Sequence, residues 1–502
     1  MADSENDQVV QRRQKLKNLL ERGIEPYPYS YAKKNSAKEI LEKHAKLKKE
    51  GKTKDKASIA GRIMTLRVMG KAGFAHIQDQ TGKIQIYARE DEVGKEDYKT
   101  FSKSDLGDII GVEGTIFRTK LGELSIWVKK FKLLCKSLLP LPEKWHGLKD
   151  KELRYRRREL DILTNPEVME IFRKRSAVTK AVREFLDSKG FLEVDIPTLQ
   201  PVYGGAEARP FVTHLNELDM QVYLSISPEL YLKRLIVGGY EKVYTLCKNF
   251  RNEGIDRTHN PEFTAMECYQ AYADYEDMMK LTEELYSYVA KKVFGTAKIK
   301  YQEKIFDLKT PWKRISVKEG LKKFADINVD KLDDKKLKDL VKKNNIAHEG
   351  ELTRGRAILL LFEELVEEKL DGPIFVIDYP KEASPLCKPK RGDPELIEKF
   401  EPYINGWEMG NAYSELNNPE LQKKLLMDQV RLLKAGNAEA HPFDDDFVKS
   451  IETGMPPTGG LGLGIDRMIM LFTDSESIRD VILFPFMRTF AEHFGKKPIG
   501  TT

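Results

Sequence analysis

The densest set of groups able to do chemistry lies at residues 240–272. Residues 243–253 alternate as a strand does, 254–261 form a polar turn, and 263–272 alternate again, which predicts a long antiparallel hairpin. Side chains two apart share a face of a strand. Arg251 and Glu253 therefore point one way together, and so do Phe263, Glu267 and Tyr269. Such a face offers a fork of donors, carboxylate acceptors and flat aromatic surface, the groups that grip a charged, planar ligand. Charges there need partners or water. Taken alone, the pattern fits equally well a hairpin that faces solvent with incidental charges.

A second stretch is the glycine-rich run Gly459-Gly460-Leu461-Gly462-Leu463-Gly464-Ile465-Asp466-Arg467, which leads into the apolar Met468-Ile469-Met470-Leu471, strand or helix. Glycines permit close backbone approach, and a helix N-terminus attracts phosphate. The run is neither a P-loop nor a dinucleotide fingerprint and is weak by itself. The third stretch, Gly190-Phe191-Leu192-Glu193-Val194-Asp195-Ile196-Pro197, ends a helix at Gly190 and continues as a strand that stops at Pro197; plain packing accounts for it equally well.

These segments need elements to hold them. Residues 1–55 are rich in Lys, Glu and Leu, and 11–22 and 37–49 read as charged amphipathic helices. The simpler expectation is a solvated helical extension, the sharper one a basic arm on RNA phosphates. Residues 56–140 hold short strand patterns at 58–63, 74–79, 83–88, 108–114 and 124–128, separated by glycine turns. Five strands in so short a span suggest a small OB-type barrel. Residues 141–165, with Pro142 and the basic Arg154 to Arg158, read as a linker. Residues 166–502 read as a large α+β domain, with a mainly helical insertion at about 316–370 and a polar tail after Arg488.

Composition sets the outer bounds. The chain has 502 residues, 40% of them hydrophobic and 33% charged, with a formal net charge of +6. That is enough apolar material for a sizeable core and excludes wholesale disorder. No apolar run approaches the roughly 20 residues of a membrane helix. The N-terminus has no basic-then-apolar leader pattern. Cys135, Cys247, Cys268 and Cys387 lie far apart and form no CxxC pair, which argues against a disulfide scaffold or a zinc ribbon and for a reducing cytoplasm.

Taken together, the three stretches resemble motifs 1, 2 and 3 of class II aminoacyl-tRNA synthetases, in order and at suitable separation. Motif 2 is Phe250-Arg251-Asn252-Glu253 with His259-Asn260-Pro261-Glu262-Phe263 beyond the turn, and motif 3 is Gly462-Leu463-Gly464-Ile465-Asp466-Arg467. A barrel on the N-terminal side marks the subgroup for lysine, aspartate and asparagine. Pro228-Glu229-Leu230-Tyr231-Leu232-Lys233-Arg234, Met266-Glu267-Cys268-Tyr269 and Asn411-Ala412-Tyr413-Ser414-Glu415-Leu416 resemble most closely the lysyl-tRNA synthetase family, over Arg13 to Arg488. The resemblance implies an OB-fold anticodon-binding barrel followed by a catalytic domain built on an antiparallel sheet flanked by helices. It also implies a cytoplasmic homodimer joined through motif 1, with no membrane partner.

The implied reaction joins L-lysine to ATP as lysyl-adenylate and then moves the lysyl group to the 3′ end of lysine tRNA. It needs no enzyme nucleophile and rests on positioning and charge stabilisation. By resemblance, Arg251 and Arg467 are the catalytic pair. The ATP set is Arg251, Glu253, His259, Asn260, Phe263 and Arg467. Glu401 and Glu408 match magnesium carboxylates, so Mg²⁺ is expected with ATP and zinc is not. The lysine set is Gly205, Glu229, Arg251, Glu267, Tyr269, Asn411, Tyr413 and Glu415. Carboxylates suit an ammonium, whereas an aspartate pocket needs a cation that the matched positions lack. Arg62, Phe74, Gln85 and Glu123 match anticodon-reading positions, with Phe74 expected to stack on the central uridine. Without the resemblance, Phe74 reads better as barrel core.

The alternatives are an asparaginyl or aspartyl enzyme of the same fold, a paralogue that attaches lysine-like groups to a protein, and an idle tRNA-binding or signalling relative. The three carboxylates, the barrel, and the presence of Arg251, Glu253 and Arg467 argue against them in turn. The chain departs from the family pattern in Tyr155-Arg156-Arg157-Arg158-Glu159-Leu160, in Lys399-Phe400, and in a long tail. None of these is a matched catalytic position.

Overall fold

The structure is a computed structural model and describes residues 2–142, 148–348, 350–437 and 439–488. The expected polar tail lies outside the described residues. The chain divides into two compact units, Met1–Leu148 and Lys149–Thr502.

In the first unit, period-2 alternation drives five strands, Lys52–Met69, Ala72–Asp79, Gly82–Arg89, Ile109–Arg118 and Leu124–Cys135, into a closed barrel. Ile59, Ile63, Ile77, Ile86, Val112, Ile126 and Val128 fill it and are fully buried. Burying one such side chain contributes about 1.5–3 kcal/mol. At the register shift beside Gly114, a Cβ would lie 2.0 Å from the Trp127 carbonyl oxygen, so only glycine fits the close approach of the last two strands.

The N-terminal segment is less solvated than its composition implies. Its helices, Ala2–Glu21 and Ala37–Lys43, pack against the barrel through Leu19, Ala37 and Ile40. The Arg12 guanidinium is buried and donates to the carbonyls of Leu106 (3.0 Å) and Leu139 (3.1 Å). Lys15 pairs with Asp105 at 2.6 Å. These two cations are spent on the protein itself.

The second unit is organised by one ten-stranded sheet. Its main path runs through strands Lys313–Ser316, Ile374–Pro380, Asp393–Ile404, Gly410–Ser414, Thr458–Gly464, Glu262–Ala271, Lys242–Phe250 and Leu192–Glu193. Pairing is antiparallel in the middle and parallel at the two ends. The hairpin is present, but its first strand stops at Phe250, and the strand after Gly190 is only two residues long. The glycine run resolves into a strand through Gly464 and then a helix, Ile465–Thr473. The 316–370 region supplies helices Val317–Ala325, Asp334–Lys343 and Arg354–Leu365.

Alternation separates the two faces of the sheet. Met266, Cys268, Leu461 and Leu463 point to a core shared with helices Pro166–Ser188 and Tyr275–Phe294. Glu267, Tyr269, Gly460 and Gly462, one residue out of phase, face the other side.

The basic run in the expected linker belongs to this second unit and is not a free basic patch. Arg158 is 1% exposed and pairs with Asp161, itself fully buried, at 2.7 Å. Its remaining donors reach the carbonyls of Leu483 and Arg479. Arg154 also bonds to Asp161 at 2.7 Å. Asp161→Ala would leave a buried guanidinium without its carboxylate, at a cost of about 3–5 kcal/mol. Urea unfolding should show a correspondingly lower midpoint; a loss below about 1 kcal/mol would contradict this role for the pair.

Candidate active site

The out-of-phase face of the sheet floors a cavity of about 640 Å³. The strand at its centre carries glycine wherever it points into the cavity. In the register, Gly462 lies between Glu267 and Asn411, and Gly460 between Tyr269 and Tyr413. The glycine strand is thus a trough between two polar walls. A Cβ on Gly460 would sit 1.9 Å from Glu415 Oε1 and 2.6 Å from the Tyr269 ring. A Cβ on Gly462 would meet Glu267 at 3.4 Å, an ordinary contact, and would project into the trough.

All residues expected from the sequence to meet ATP, lysine or magnesium line this one cavity: Gly205, Glu229, Arg251, Glu253, His259, Asn260, Phe263, Glu267, Tyr269, Glu401, Glu408, Asn411, Tyr413, Glu415 and Arg467. They do not all reach it as expected. Arg251 and Glu253 lie past the end of the strand, so it is the chain's turn, not strand alternation, that brings them in. Gly205 has φ +87°, and a Cβ there would come within 2.9 Å of Glu229 and Ser227, so glycine is required on both counts.

One end of the cavity is acidic. Glu229, Glu267 and Glu415 are all buried. Ser227 and Tyr269 donate to Glu267 at 3.0 and 3.2 Å, and Tyr413 donates to Glu229 at 2.6 Å. Burial, and then the neighbouring Glu229, push the Glu267 carboxyl up to about 8. Lys233 is fully buried, bonds to Glu229 at 2.6 Å and pairs with Glu415. Burial works against its charge, but Glu229 and Glu415 outweigh that and raise it. The sequence reading gave Lys233 no role, although Glu229 and Lys233 stand at i and i+4 on the helix Glu229–Val237, the spacing of an ion pair.

The other end is basic and aromatic. The Arg251 guanidinium stands 5.1 Å from the centre of the Phe263 ring. Arg467 donates to the Glu408 carbonyl at 2.5 Å, and its other nitrogen meets His259 Nε2 at 3.1 Å. Glu253 accepts from the Arg209 amide at 3.3 Å. Asp466 holds Arg467's helix against the hairpin: it accepts from the Thr264 amide at 2.6 Å and pairs with Arg175 at 2.5 Å. Arg175 and Asp466 are positioning residues that the sequence did not single out for this purpose. Arg251 Nε, Asn260 Oδ1, Asn411 Oδ1 and Glu415 Oε1 are buried without a hydrogen-bond partner among the described residues. All four side chains line the cavity, where a polar ligand or water would satisfy them.

Between the two ends lies a carboxylate wall. Glu401 accepts from Tyr379 (2.6 Å) and Tyr403 (2.9 Å) and pairs with Lys399 at 2.9 Å. Lys399 and the hydroxyls outweigh burial and keep Glu401 low. Burial and then Glu401 push Glu408 up. Glu367 is pushed up to about 8, chiefly by burial. No group of three or more His, Cys, Asp or Glu is arranged to hold a metal among the described residues.

An acceptor-rich end, a guanidinium-rich end and a bare floor between them can hold a cationic group and a polyanion side by side. Residues 150–488 match the family described as tRNA synthetases class II (D, K and N). The chain belongs to that family. Residues 57–134 match the OB-fold nucleic acid binding domain. Over 488 residues the chain is 53% identical to the lysine--tRNA ligase of Carboxydothermus hydrogenoformans, covering 96% of this chain and 98% of that one. It is 51% identical to that of Clostridium novyi and 53% to that of Pelotomaculum thermopropionicum, over 96% of this chain and 95% of each.

On the barrel, Gln85 donates to Glu123 at 2.7 Å, and His76 meets the same carboxylate at 2.6 Å. Phe74 is on the outer face, not in the core, and stacks on Tyr87 with centroids 4.5 Å apart. Arg62 stands opposite Gln78 and donates to the Gly107 carbonyl at 2.7 Å. His76 and Tyr87 were missed by the sequence reading, although each lies two residues from a matched position, Phe74 or Gln85.

The trough gives a paired prediction. Gly460→Ala should abolish amino-acid activation, because its Cβ overlaps Glu415 and Tyr269. Gly462→Ala should fold normally and raise the KM for the amino acid with little change in the KM for ATP. Melting curves and steady-state kinetics on both variants check this; equal behaviour of the two would contradict the trough.

Proposed function

We propose that the chain activates L-lysine with ATP and transfers the lysyl group to the 3′ end of lysine tRNA. The observation that carries the choice of lysine is the buried carboxylate set Glu229, Glu267 and Glu415. Lysine brings two ammonium groups, and with Lys233 already present the formal charges of three carboxylates and three ammoniums cancel. An aspartate side chain would enter this set as a further anion, and asparagine would leave a carboxylate unpaired. Near-full-length similarity to enzymes named lysine--tRNA ligase supports the same choice.

In the proposed arrangement Glu267 and Tyr269 meet the ε-ammonium. Glu229 and Glu415 share the amino-group contacts with the Gly205 backbone, beside Asn411 and Tyr413. The adenine lies between Phe263 and Arg467, with Glu253 accepting from its amino group and Asn260 nearby. A lysine carboxylate oxygen attacks the α-phosphorus, and the bond to pyrophosphate breaks. Arg251 touches both the carboxylate and the α-phosphate, and its fixed planar charge stabilises the charge that builds up in the transition state. His259 and Arg467 hold the β- and γ-phosphates. In the second step the 3′-terminal adenosine hydroxyl attacks the activated carbonyl, and AMP leaves.

Glu401 and Glu408 would hold Mg²⁺. Their hard oxygens fit it, and the mutual repulsion that raises Glu408 is relieved by a cation. Bound with ATP, the ion supplies charge neutralisation at the phosphates. Mg²⁺ usually takes one or two carboxylates along with substrate oxygens, so a dedicated cage is not required.

Anticodon reading is assigned to Arg62, Phe74, Gln85 and Glu123 on the barrel's outer face, with Phe74 free to stack on a base on the side away from Tyr87. A homodimer through the motif 1 region is supported by the exposed apolar side chains Leu192, Leu199, Val212, Leu215 and Leu218, which suit a two-fold contact. No helix among the described residues is long and apolar enough to cross a membrane. Similarity to lysine--tRNA ligases supports a cytoplasmic location.

ATP–pyrophosphate exchange, run without tRNA against each of the twenty amino acids, tests the reading. Lysine alone should drive exchange, and Glu267→Gln and Arg251→Ala should each reduce it by about 100-fold or more. Exchange driven by aspartate or asparagine would overturn the substrate assignment.

A further inference from the structure

The turn that joins the two hairpin strands contains an aspartate to which the reaction as described gives no task. Asp256 Oδ1 accepts from the amides of Thr258 (2.7 Å) and His259 (2.8 Å) and from the Thr258 hydroxyl (3.1 Å). Its other oxygen lies 2.8 Å from His259 Nδ1. The far nitrogen of that ring, Nε2, stands 3.1 Å from an Arg467 guanidinium nitrogen.

The direction of these bonds follows from donor chemistry. A guanidinium has no acceptor. Nε2 must therefore present its lone pair to Arg467, and the ring hydrogen must sit on Nδ1, donated to Asp256. The Asp256–His259 pair thus orients the guanidinium that the proposed site gives to the phosphates.

We propose that Asp256 is a positioning residue for the phosphate end of the site. It accepts from His259 Nδ1–H and so keeps Nε2 turned to Arg467, which the proposed site gives to the β- and γ-phosphates. The geometry meets the conditions for this. Asp256 from its own turn and Arg467 from the helix Ile465–Thr473 are the charges that face the ring, with Glu408 behind Arg467. His259 is half-exposed, so these bonds rather than close packing hold the ring. Partial burial would raise the Asp256 carboxyl, but the Thr258 amide and the His259 ring outweigh it, so the group is an anion when the ring needs one. The inference rests on the proposed ATP site and adds a residue to it.

The test is steady-state ATP–pyrophosphate exchange and ATP titration calorimetry on the full chain with Asp256→Asn, His259→Gln and the double variant. Asn keeps an oxygen for the two amides and loses the charge. Asp256→Asn should raise the KM for ATP about tenfold, the scale of one charge-assisted hydrogen bond. The KM for lysine and the melting temperature should stay at wild-type values. Calorimetric titration should show the same loss as a weaker Kd for ATP in Asp256→Asn. In the double variant, the aspartate change should add nothing to the loss from His259→Gln.

An unchanged ATP KM and Kd in Asp256→Asn would overturn the proposal and leave Asp256 a turn former. A parallel rise in both KM values, or full additivity with His259→Gln, would overturn it as well. Failure of the wild type to catalyse lysine-driven exchange would instead strike the functional reading, and ATP calorimetry would still report on Asp256.

Discussion

The site depends on one constraint, a strand in the middle of a large sheet that carries glycine at each position facing the cavity. Gly460 and Gly462 leave that face bare, while Leu461 and Leu463 on the other face join the core. A central strand normally buries side chains on both sides, and glycine weakens a strand. Here the weakness is offset by hydrogen-bonded neighbours on both edges and by the helices packed beneath. What is gained is a backbone floor with rigid polar walls, Glu267 and Tyr269 on one side and Asn411 and Tyr413 on the other. Register alone then puts groups nearly 150 residues apart in sequence within reach of one ligand.

Electrostatics follow from that geometry. Carboxylates drawn close in a buried trough are costly to ionise, and the structure meets the cost in two ways. Lys233 is a built-in counter-cation for Glu229 and Glu415. Glu267 has hydroxyl donors but no cation at bonding distance among the described residues, and burial pushes it up to about 8; burial also pushes Glu415 up, in spite of Lys233. A group held partly neutral until a cation arrives is suited to recognising an ammonium. At the opposite end Arg251 and Arg467 face an anion, and Asp466 with Arg175 fixes the angle of the second guanidinium. The two ends differ in sign, so a zwitterionic amino acid and a nucleotide can each take only one place.

Much of this was legible in the residues themselves. The hairpin showed because its two alternating runs flank a polar turn, and the barrel because its five strands keep period 2 between glycines. The joint appearance of Arg251, Glu253 and Arg467 in ordered motifs pointed to the family before any coordinates did. Other features were hidden for physical reasons. Where the first hairpin strand ends is decided by pairing, which alternation does not report. A lysine on a helix reads as a solvated residue, and only tertiary packing buries Lys233. The charged N-terminal helices read as an extension, but three apolar contacts and the Arg12 bonds dock them on the barrel. The basic run at Arg154 to Arg158 looked like a patch, although Asp161 lies close enough in sequence to pair with it.

The most direct test of the account is the proton balance of lysine binding. With Glu267 at about 8, most of the free enzyme holds a proton there at pH 7, and an incoming ammonium must expel it. Calorimetric titration of lysine into the protein without ATP, at pH 7 in buffers of different ionisation enthalpy, should report release of close to one proton. Affinity should then rise as pH approaches 8, and Glu267→Gln should diminish both effects. Lysine binding with no proton release and no pH dependence would contradict the claim that a buried, partly neutral carboxyl in the glycine-floored trough selects the substrate.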